Sequence, residues 1–146
     1  MIAVDTSVLV QAYRADDEFH EAARQARTAL AEGRSGWGIP WPCVHEFLAI
    51  VTHPRIFAPP TPLPQACDQV EAWMEAPTLT HIGEDDAHWA TLREQLEVGR
   101  IVGARVHDAR VAALCLRHGV TELLTADRDF SRFPNLRTRN PLLTPL

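Results

Sequence analysis

The first seven residues constrain the fold more than any other stretch of the chain. Residues 2–4 (Ile-Ala-Val) form a short apolar run typical of a strand buried on both faces of a parallel sheet, and Asp5 follows directly. Because open α/β sheets bind ligands at the carboxyl ends of their strands, Asp5 is the first candidate functional residue. A second interpretation is open here: Thr6 and Ser7 are typical of a helix N-cap, and Asp5 could simply share that capping.

Strands and helices alternate along the rest of the chain. Apolar runs predict further strands at 37–39, 79–82 and 122–125, with a short edge strand at 136–138. Apolar stripes at helical spacing predict helices between them, at 19–30, 41–53, 65–75, 87–98 and 106–118. This alternation predicts a single α/β domain over residues 1–146, a three-layer α/β/α arrangement around a doubly wound, mainly parallel sheet of four to five strands.

The same pattern predicts which side chains one helix buries and where a loop lies. The helix at 87–98 is predicted to turn Trp89, Leu92 and Leu96 inward, because these residues follow the helical period. The proline-rich segment at 54–64 is predicted to be a loop that carries two large apolar side chains, Ile56 and Phe57.

Composition narrows the classes of function. No apolar run is long enough to span a bilayer and no signal peptide is recognisable, so we expect a cytoplasmic protein without a membrane partner. The three cysteines are widely spaced and argue against a disulfide framework or a thiolate zinc site. All 14 basic residues are arginine, which excludes mechanisms that need a lysine amine, and the net charge of −5 does not exclude a nucleic acid substrate.

Two acids lie on predicted helices. Glu46 borders the apolar face of the helix at 41–53, where it could point into a cleft or lie on a solvated flank. Asp108 heads the core-facing stripe of the helix at 106–118, where a carboxylate requires a partner or a cation. An N-cap role for Asp108, with a bond to an amide near Val111, is the open alternative.

Further acids follow another predicted strand. Asp127 comes just after the strand at 122–125, and Asp129 lies two residues further in the same loop. Asp5 and Asp127 therefore share one edge of the predicted sheet, which Glu46 and Asp108 can also approach. Converging carboxylates repel one another unless a cation is present, and hard oxygen ligands favour Mg²⁺ or Mn²⁺ over Zn²⁺. Such a site suits metal-assisted phosphodiester hydrolysis.

Four short motifs, in this order along the chain, resemble those of PIN-domain ribonucleases and, more narrowly, of VapC-type toxins from toxin-antitoxin pairs. They are I-A-V-D-T-S at the N-terminus, E-F-L at Glu46, H-D-A-R-V-A-A-L around Asp108 and T-A-D-R-D-F at Asp127. The resemblance covers essentially the whole chain.

The resemblance implies a PIN-like fold and a metal-dependent endoribonuclease. It further implies a homodimer and a small cognate antitoxin protein that neutralises the enzyme. The acids that it implies to be catalytic, and to bind Mg²⁺ or Mn²⁺, are Asp5, Glu46, Asp108 and Asp127, with Asp129 as an additional ligand or helper. The hydroxyls that it implies to orient the first acid or a metal-bound water are those of Thr6, Ser7 and Thr125.

Other protein classes with acid-lined, doubly wound sheets fit the sequence less well. A phosphotransfer receiver module needs a lysine, and this chain has none. A haloacid-dehalogenase-like phosphatase normally carries a second acid where Ser7 lies. A catalytically silent RNA-binding or protein-interaction module with a PIN-like fold is the remaining alternative. For the dimer surface, the sequence suggests exposed apolar candidates such as Ile56 and Phe57.

Overall fold

The computed structural model describes all 146 residues, and its elements follow the predicted alternation. The strands are β1 (Ile2–Val4), β2 (Trp37–Pro40), β3 (Leu79–Ile82), β4 (Glu122–Leu124) and β5 (Thr138–Arg139). The α-helices are α1 (Thr6–Tyr13), α2 (His20–Glu32), α3 (Trp41–Val51), α4 (Leu63–Glu75), α5 (His88–Gly99) and α6 (Val106–Arg117). Two short 3₁₀ turns, Gly103–Arg105 and Arg128–Arg132, precede α6 and follow β4.

All five strands belong to one parallel sheet in the order β3-β2-β1-β4-β5. Because crossovers between parallel strands are right-handed, α1 to α4 cover one face of the sheet, and α5 and α6 cover the other. The prediction of a doubly wound α/β fold is therefore confirmed. The direction of strand addition reverses between β1 and β4, so their carboxyl ends form the switch point at which such sheets bind ligands.

One hydrophobic cluster of 27 buried residues joins the sheet to its helices. β1 lies at its centre, where Ala3 and Val4 have no exposed surface. Burial of each large apolar side chain contributes about 1.5–3 kcal/mol to folding, and this packing anchors the strand ends that carry the acids. The largest buried side chains are Trp37, Phe47, Phe130 and Phe133. None of the helices is both long and apolar enough to cross a membrane.

The two capping interpretations are wrong. α1 begins at Thr6, so Asp5 takes the N-cap position, and its side chain makes no capping bond. Thr6 and Ser7 lie past the N-cap position, inside the first turn of α1, and their hydroxyls donate to the carboxylates of Glu46 and Asp5. Asp108 lies within the first turn of α6, whose N-cap position is occupied by Arg105.

The inward position predicted for Trp89 is also wrong. The Trp89 side chain is 63% exposed, whereas Leu92 and Leu96 pack against the core as predicted. Gln95 is buried on the same side of α5 instead, at 1% exposure.

Most element boundaries differ from the prediction by one or two residues, and two of these differences have a clear physical cause. α4 begins at Leu63 rather than 65, because Pro64 is tolerated in the first turn of a helix. β5 begins at Thr138, because Leu136 belongs to a turn in which its N–H bonds to the carbonyl of Phe133.

Candidate functional site

The five predicted acids lie at the carboxyl edge of the sheet. Three of them, Asp108, Asp127 and Asp129, come close enough to share one cation, whereas Asp5 and Glu46 lie outside that group. Asp5 follows β1, and Asp127 follows β4, the strand paired with β1. Glu46 lies in the second turn of α3, Asp108 lies in the first turn of α6, and Asp129 lies in the 3₁₀ turn after β4. The site is therefore assembled from four separate parts of the chain, and the sheet order brings them together.

Asp108, Asp127 and Asp129 form the tightest part of this cluster. One carboxylate oxygen from each lies within 4.8 Å of the other two. Asp127 Oδ1 accepts the backbone N–H of Asp129 at 2.8 Å, which orders the loop after β4. Partial burial, and then the charges of Asp127, Asp5, Asp129 and Glu46, raise the pKa of Asp108 to about 6. Every other acid of the cluster thus contributes to the raised pKa of Asp108.

Asp5 is a buried carboxylate held by three side-chain donors, with only 5% of its surface exposed. Thr125 Oγ1 and Ser7 Oγ donate to Asp5 Oδ2 at 2.7 and 3.2 Å. Cys43 Sγ donates to Asp5 Oδ1 at 3.6 Å. Burial raises the pKa of Asp5, and the bonds from Thr125, Thr6 and Ser7 oppose this effect. The bonds fix the orientation of the carboxylate.

Hydroxyl side chains also link Asp5 and Glu46 to neighbouring elements. Thr6 Oγ1 donates to Glu46 Oε2 at 2.7 Å and so links the start of α1 to α3. Thr125 Oγ1 also accepts the backbone N–H of Asp127 at 3.0 Å. Ser7 Oγ accepts the backbone N–H of Ala126 at 3.1 Å. Each predicted hydroxyl therefore contacts an acid, and together they tie β1 to β4 at their carboxyl ends.

Two residues of the site were not anticipated from the sequence. Cys43 is fully buried, and burial together with the nearby Asp5 charge raises its thiol pKa well above the ordinary range, so it is a protonated donor. Arg105 Nη1 pairs with Asp129 Oδ1 at 3.2 Å. Arg105 lies three residues before Asp108, and this spacing could have placed it near the acids. No motif in the sequence pointed to Cys43.

The donor set suits a hard divalent cation. Asp108, Asp127 and Asp129 would each offer one carboxylate oxygen to such a cation, since these oxygens lie within 4.8 Å of one another. A cation would also offset the repulsion that raises the pKa of Asp108. No thiolate or imidazole belongs to this three-carboxylate group, which favours Mg²⁺ or Mn²⁺ over Zn²⁺.

Comparison with known proteins identifies the family. The model of the PIN domain family matches residues 2–136 of this chain. Ribonuclease VapC43 of Mycobacterium tuberculosis is 35% identical over 142 residues, a match that covers 97% of this chain and 96% of that protein.

Two solved structures are similar in fold to this chain. VapC20 of M. tuberculosis, described as a sarcin-ricin loop cleaving toxin, has a TM-score of 0.67 at 19% identity, covering 94% of this chain and 99% of that one. VapBC2 from Rickettsia felis, bound to a DNA fragment from its promoter, has a TM-score of 0.63 at 19% identity. The match covers 96% of this chain and 98% of that one. On the family model and the sequence identity, this chain belongs to the PIN-domain family and, within it, to the VapC ribonucleases.

Proposed function

We propose that this chain is a metal-dependent endoribonuclease that acts as the toxin of a toxin-antitoxin pair. The observation that carries the proposal is the convergence of carboxylates at one sheet edge, where one oxygen from each of Asp108, Asp127 and Asp129 lies within 4.8 Å of the other two. Such a concentration of negative charge opposes folding, and enzymes maintain it where a cation is needed for chemistry. The similarity to a ribonuclease named VapC43 supports RNA as the substrate.

Each acid has a proposed role at this site. The proposed catalytic residues and metal ligands are Asp5, Glu46, Asp108 and Asp127, with Asp129 as a further ligand. Mg²⁺ or Mn²⁺, when bound, supplies an activated water and stabilises the charge that develops on the leaving oxygen. The chain's own contribution is orientation: Thr125 and Ser7 hold Asp5, and Thr6 holds Glu46.

The proposed partners follow from the same assignment. We propose that the chain works in the cytoplasm as one PIN-like domain over residues 1–146, forms a homodimer and is silenced by a small cognate antitoxin. One of the solved structures similar in fold, VapBC-1 from Haemophilus influenzae, is named for both members of such a pair. For the dimer surface, Ile56 is the better candidate at 52% exposure, because the Arg14 guanidinium lies 4.2 Å above the ring of Phe57.

A cleavage assay tests the proposed function. Purified protein is incubated with structured RNA and Mg²⁺ or Mn²⁺, with and without EDTA. We expect cleavage with either metal, none in EDTA, and a loss of more than about a hundredfold in Asp5→Asn, because this substitution removes a central carboxylate and keeps its shape. Asp68→Asn is the matched control, since Asp68 is an exposed acid on α4.

The outcomes separate this proposal from a silent binding module. A silent module binds RNA without cutting it in any metal, and that result contradicts an enzymatic function. Cleavage that persists in EDTA or in Asp5→Asn at the wild-type rate excludes the metal mechanism proposed for these acids.

A further inference from the structure

A cleft lies beside the acidic cluster, between the first turns of α3 and α6. We call it the α3–α6 cleft. Its volume is about 280 Å³, and its walls are formed by Pro42, His45, Glu46, His107, Arg110 and Val111. Each helix contributes three positions at i, i+3 and i+4, so one stripe of α3 faces one stripe of α6. Glu46 belongs to both the cleft and the acidic cluster, which makes the two sites continuous.

The wall of the cleft carries side-chain donors that are not bonded to the five acids of the cluster. His45 and His107 are exposed, each directly preceding an acid of the cluster. Arg110 donates from Nε to Glu84 Oε1, whereas its Nη1 and Nη2 groups make no hydrogen bond within the chain. Glu84 thus holds the guanidinium by one edge and leaves the other edge free. A guanidinium with a free edge is suited to bidentate contact with a phosphate.

An aromatic surface lies next to His45. The Trp41 ring is 6.2 Å from the His45 ring, with an angle of 32° between their planes. The Trp41 ring also lies 4.8 Å from the ring of His81. Unpaired RNA bases stack on aromatic and imidazole rings of this kind.

Electrostatics explains why such a cleft is needed. Five carboxylates surround the proposed cutting position, and the chain carries a net charge of −5, so the surroundings of the site repel a phosphate backbone. Binding of an RNA strand therefore requires donors next to the acids, and Arg110 and His107 are positioned to provide them.

We propose that the α3–α6 cleft binds the nucleotide adjacent to the phosphodiester that is cut. Arg110 and His107 donate to its phosphate, and His45 contacts its base. This inference rests on the proposed ribonuclease function and deepens it, because it assigns positioning residues for the substrate strand outside the acidic cluster. The competing explanation is that Arg110 serves only as the ion-pair partner of Glu84.

Two variants separate these explanations, because Arg110→Gln and Glu84→Gln break the same ion pair from opposite sides. Binding of a fluorescent single-stranded oligoribonucleotide to the full chain is measured by anisotropy in EDTA, which prevents cleavage. Arg110→Gln is expected to weaken binding about tenfold and to lower the slope of log affinity against log salt by about 0.7, as for one lost phosphate contact. Glu84→Gln is expected to bind at or above the wild-type affinity, because the guanidinium remains.

His107→Ala is expected to weaken binding several-fold through the loss of its donor. Arg24→Gln is the control, since Arg24 lies in an exposed pair with Glu21 on α2. Its affinity is expected to equal that of the wild type. Thermal unfolding of every variant establishes that each is folded at the assay temperature.

The result that overturns the inference is an equal loss of affinity in Arg110→Gln and Glu84→Gln, or no loss in Arg110→Gln. Either result, obtained with a wild-type chain that cleaves RNA in Mg²⁺ or Mn²⁺, refutes nucleotide binding in the α3–α6 cleft. The proposed ribonuclease function is then unaffected. A wild-type chain that neither binds nor cleaves RNA refutes both.

Discussion

Asp5 shows how this chain keeps a charged group inside its core. Its carboxylate is buried, and burial alone favours the neutral acid. Hydrogen bonds from Thr125, Thr6 and Ser7 offset part of that effect. The side chains of Thr125, Ser7 and Cys43 together contact both carboxylate oxygens. The acid is therefore oriented before any ligand arrives, which reduces the reorganisation needed to bind a cation.

Asp108 makes the stability of the cation-free protein depend on pH. Its pKa rises from 3.8 to about 6 on folding, so between these values the folded state retains a proton that the unfolded state has released. The contribution of Asp108 to the free energy of unfolding therefore falls as pH rises across this interval, and it stays low above it. Asp108→Asn removes this dependence.

We expect Asp108→Asn to be more stable than the wild type at pH 7 in EDTA by about 1 kcal/mol, a value reduced for the partly exposed side chain. Below pH 4 the two proteins should differ little. Thermal unfolding at both pH values provides the measurement, with Asp68→Asn as the control. An Asp108→Asn protein with the pH dependence of the wild type would contradict this account.

At the scale of elements, the edge strand β5 depends on one buried acid. Glu122 on β4 is 7% exposed, and its carboxylate lies 2.8 Å from Arg139 Nη2 and 3.7 Å from Arg137 Nε. β5 contains only two residues, so its backbone bonds to β4 are few. These ion pairs add to the few backbone hydrogen bonds that hold β5 against β4.

We expect Glu122→Gln to lower the free energy of unfolding by about 2 kcal/mol, because it removes a charge that is paired in a largely buried position. Glu97→Gln breaks the exposed pair between Arg93 and Glu97 on α5 and should cost less than about 0.5 kcal/mol. Urea unfolding measures both variants. An equal loss of unfolding free energy in Glu122→Gln and Glu97→Gln would mean that burial does not strengthen the ion pairs of Glu122.

The elements themselves were largely predictable, whereas the side chains they bury were predictable only in part. Apolar runs and stripes are local, so the order of strands and helices could be derived from them. The buried face of α5 could not be derived in full, since the helix buries Gln95 and leaves Trp89 exposed. Which face is covered depends on the neighbouring element, and α5 packs chiefly on α6, which comes later in the chain.

At the scale of the whole molecule, the proposed toxin function predicts an effect on growth. Induced expression of the wild-type chain should arrest a bacterial host, and Asp5→Asn should not at the same soluble level, because it lacks the central carboxylate. Co-expression of the small reading frame adjacent to the gene should restore growth. Colony counts after induction provide the measurement, and Asp68→Asn should remain toxic. Normal growth with abundant soluble wild-type protein would contradict the toxin assignment, although not nuclease activity.

The alternation of strands and helices and the position of Asp5 and Asp127 at strand ends follow from the sequence alone, because both are properties of neighbouring residues. Which groups meet at those strand ends depends on how the chain packs. Cys43 contacts Asp5 across 38 positions and Thr125 contacts it across 120. The order β3-β2-β1-β4-β5 produces these contacts, the raised pKa of Asp108 and the α3–α6 cleft, since each depends on elements that are distant in sequence.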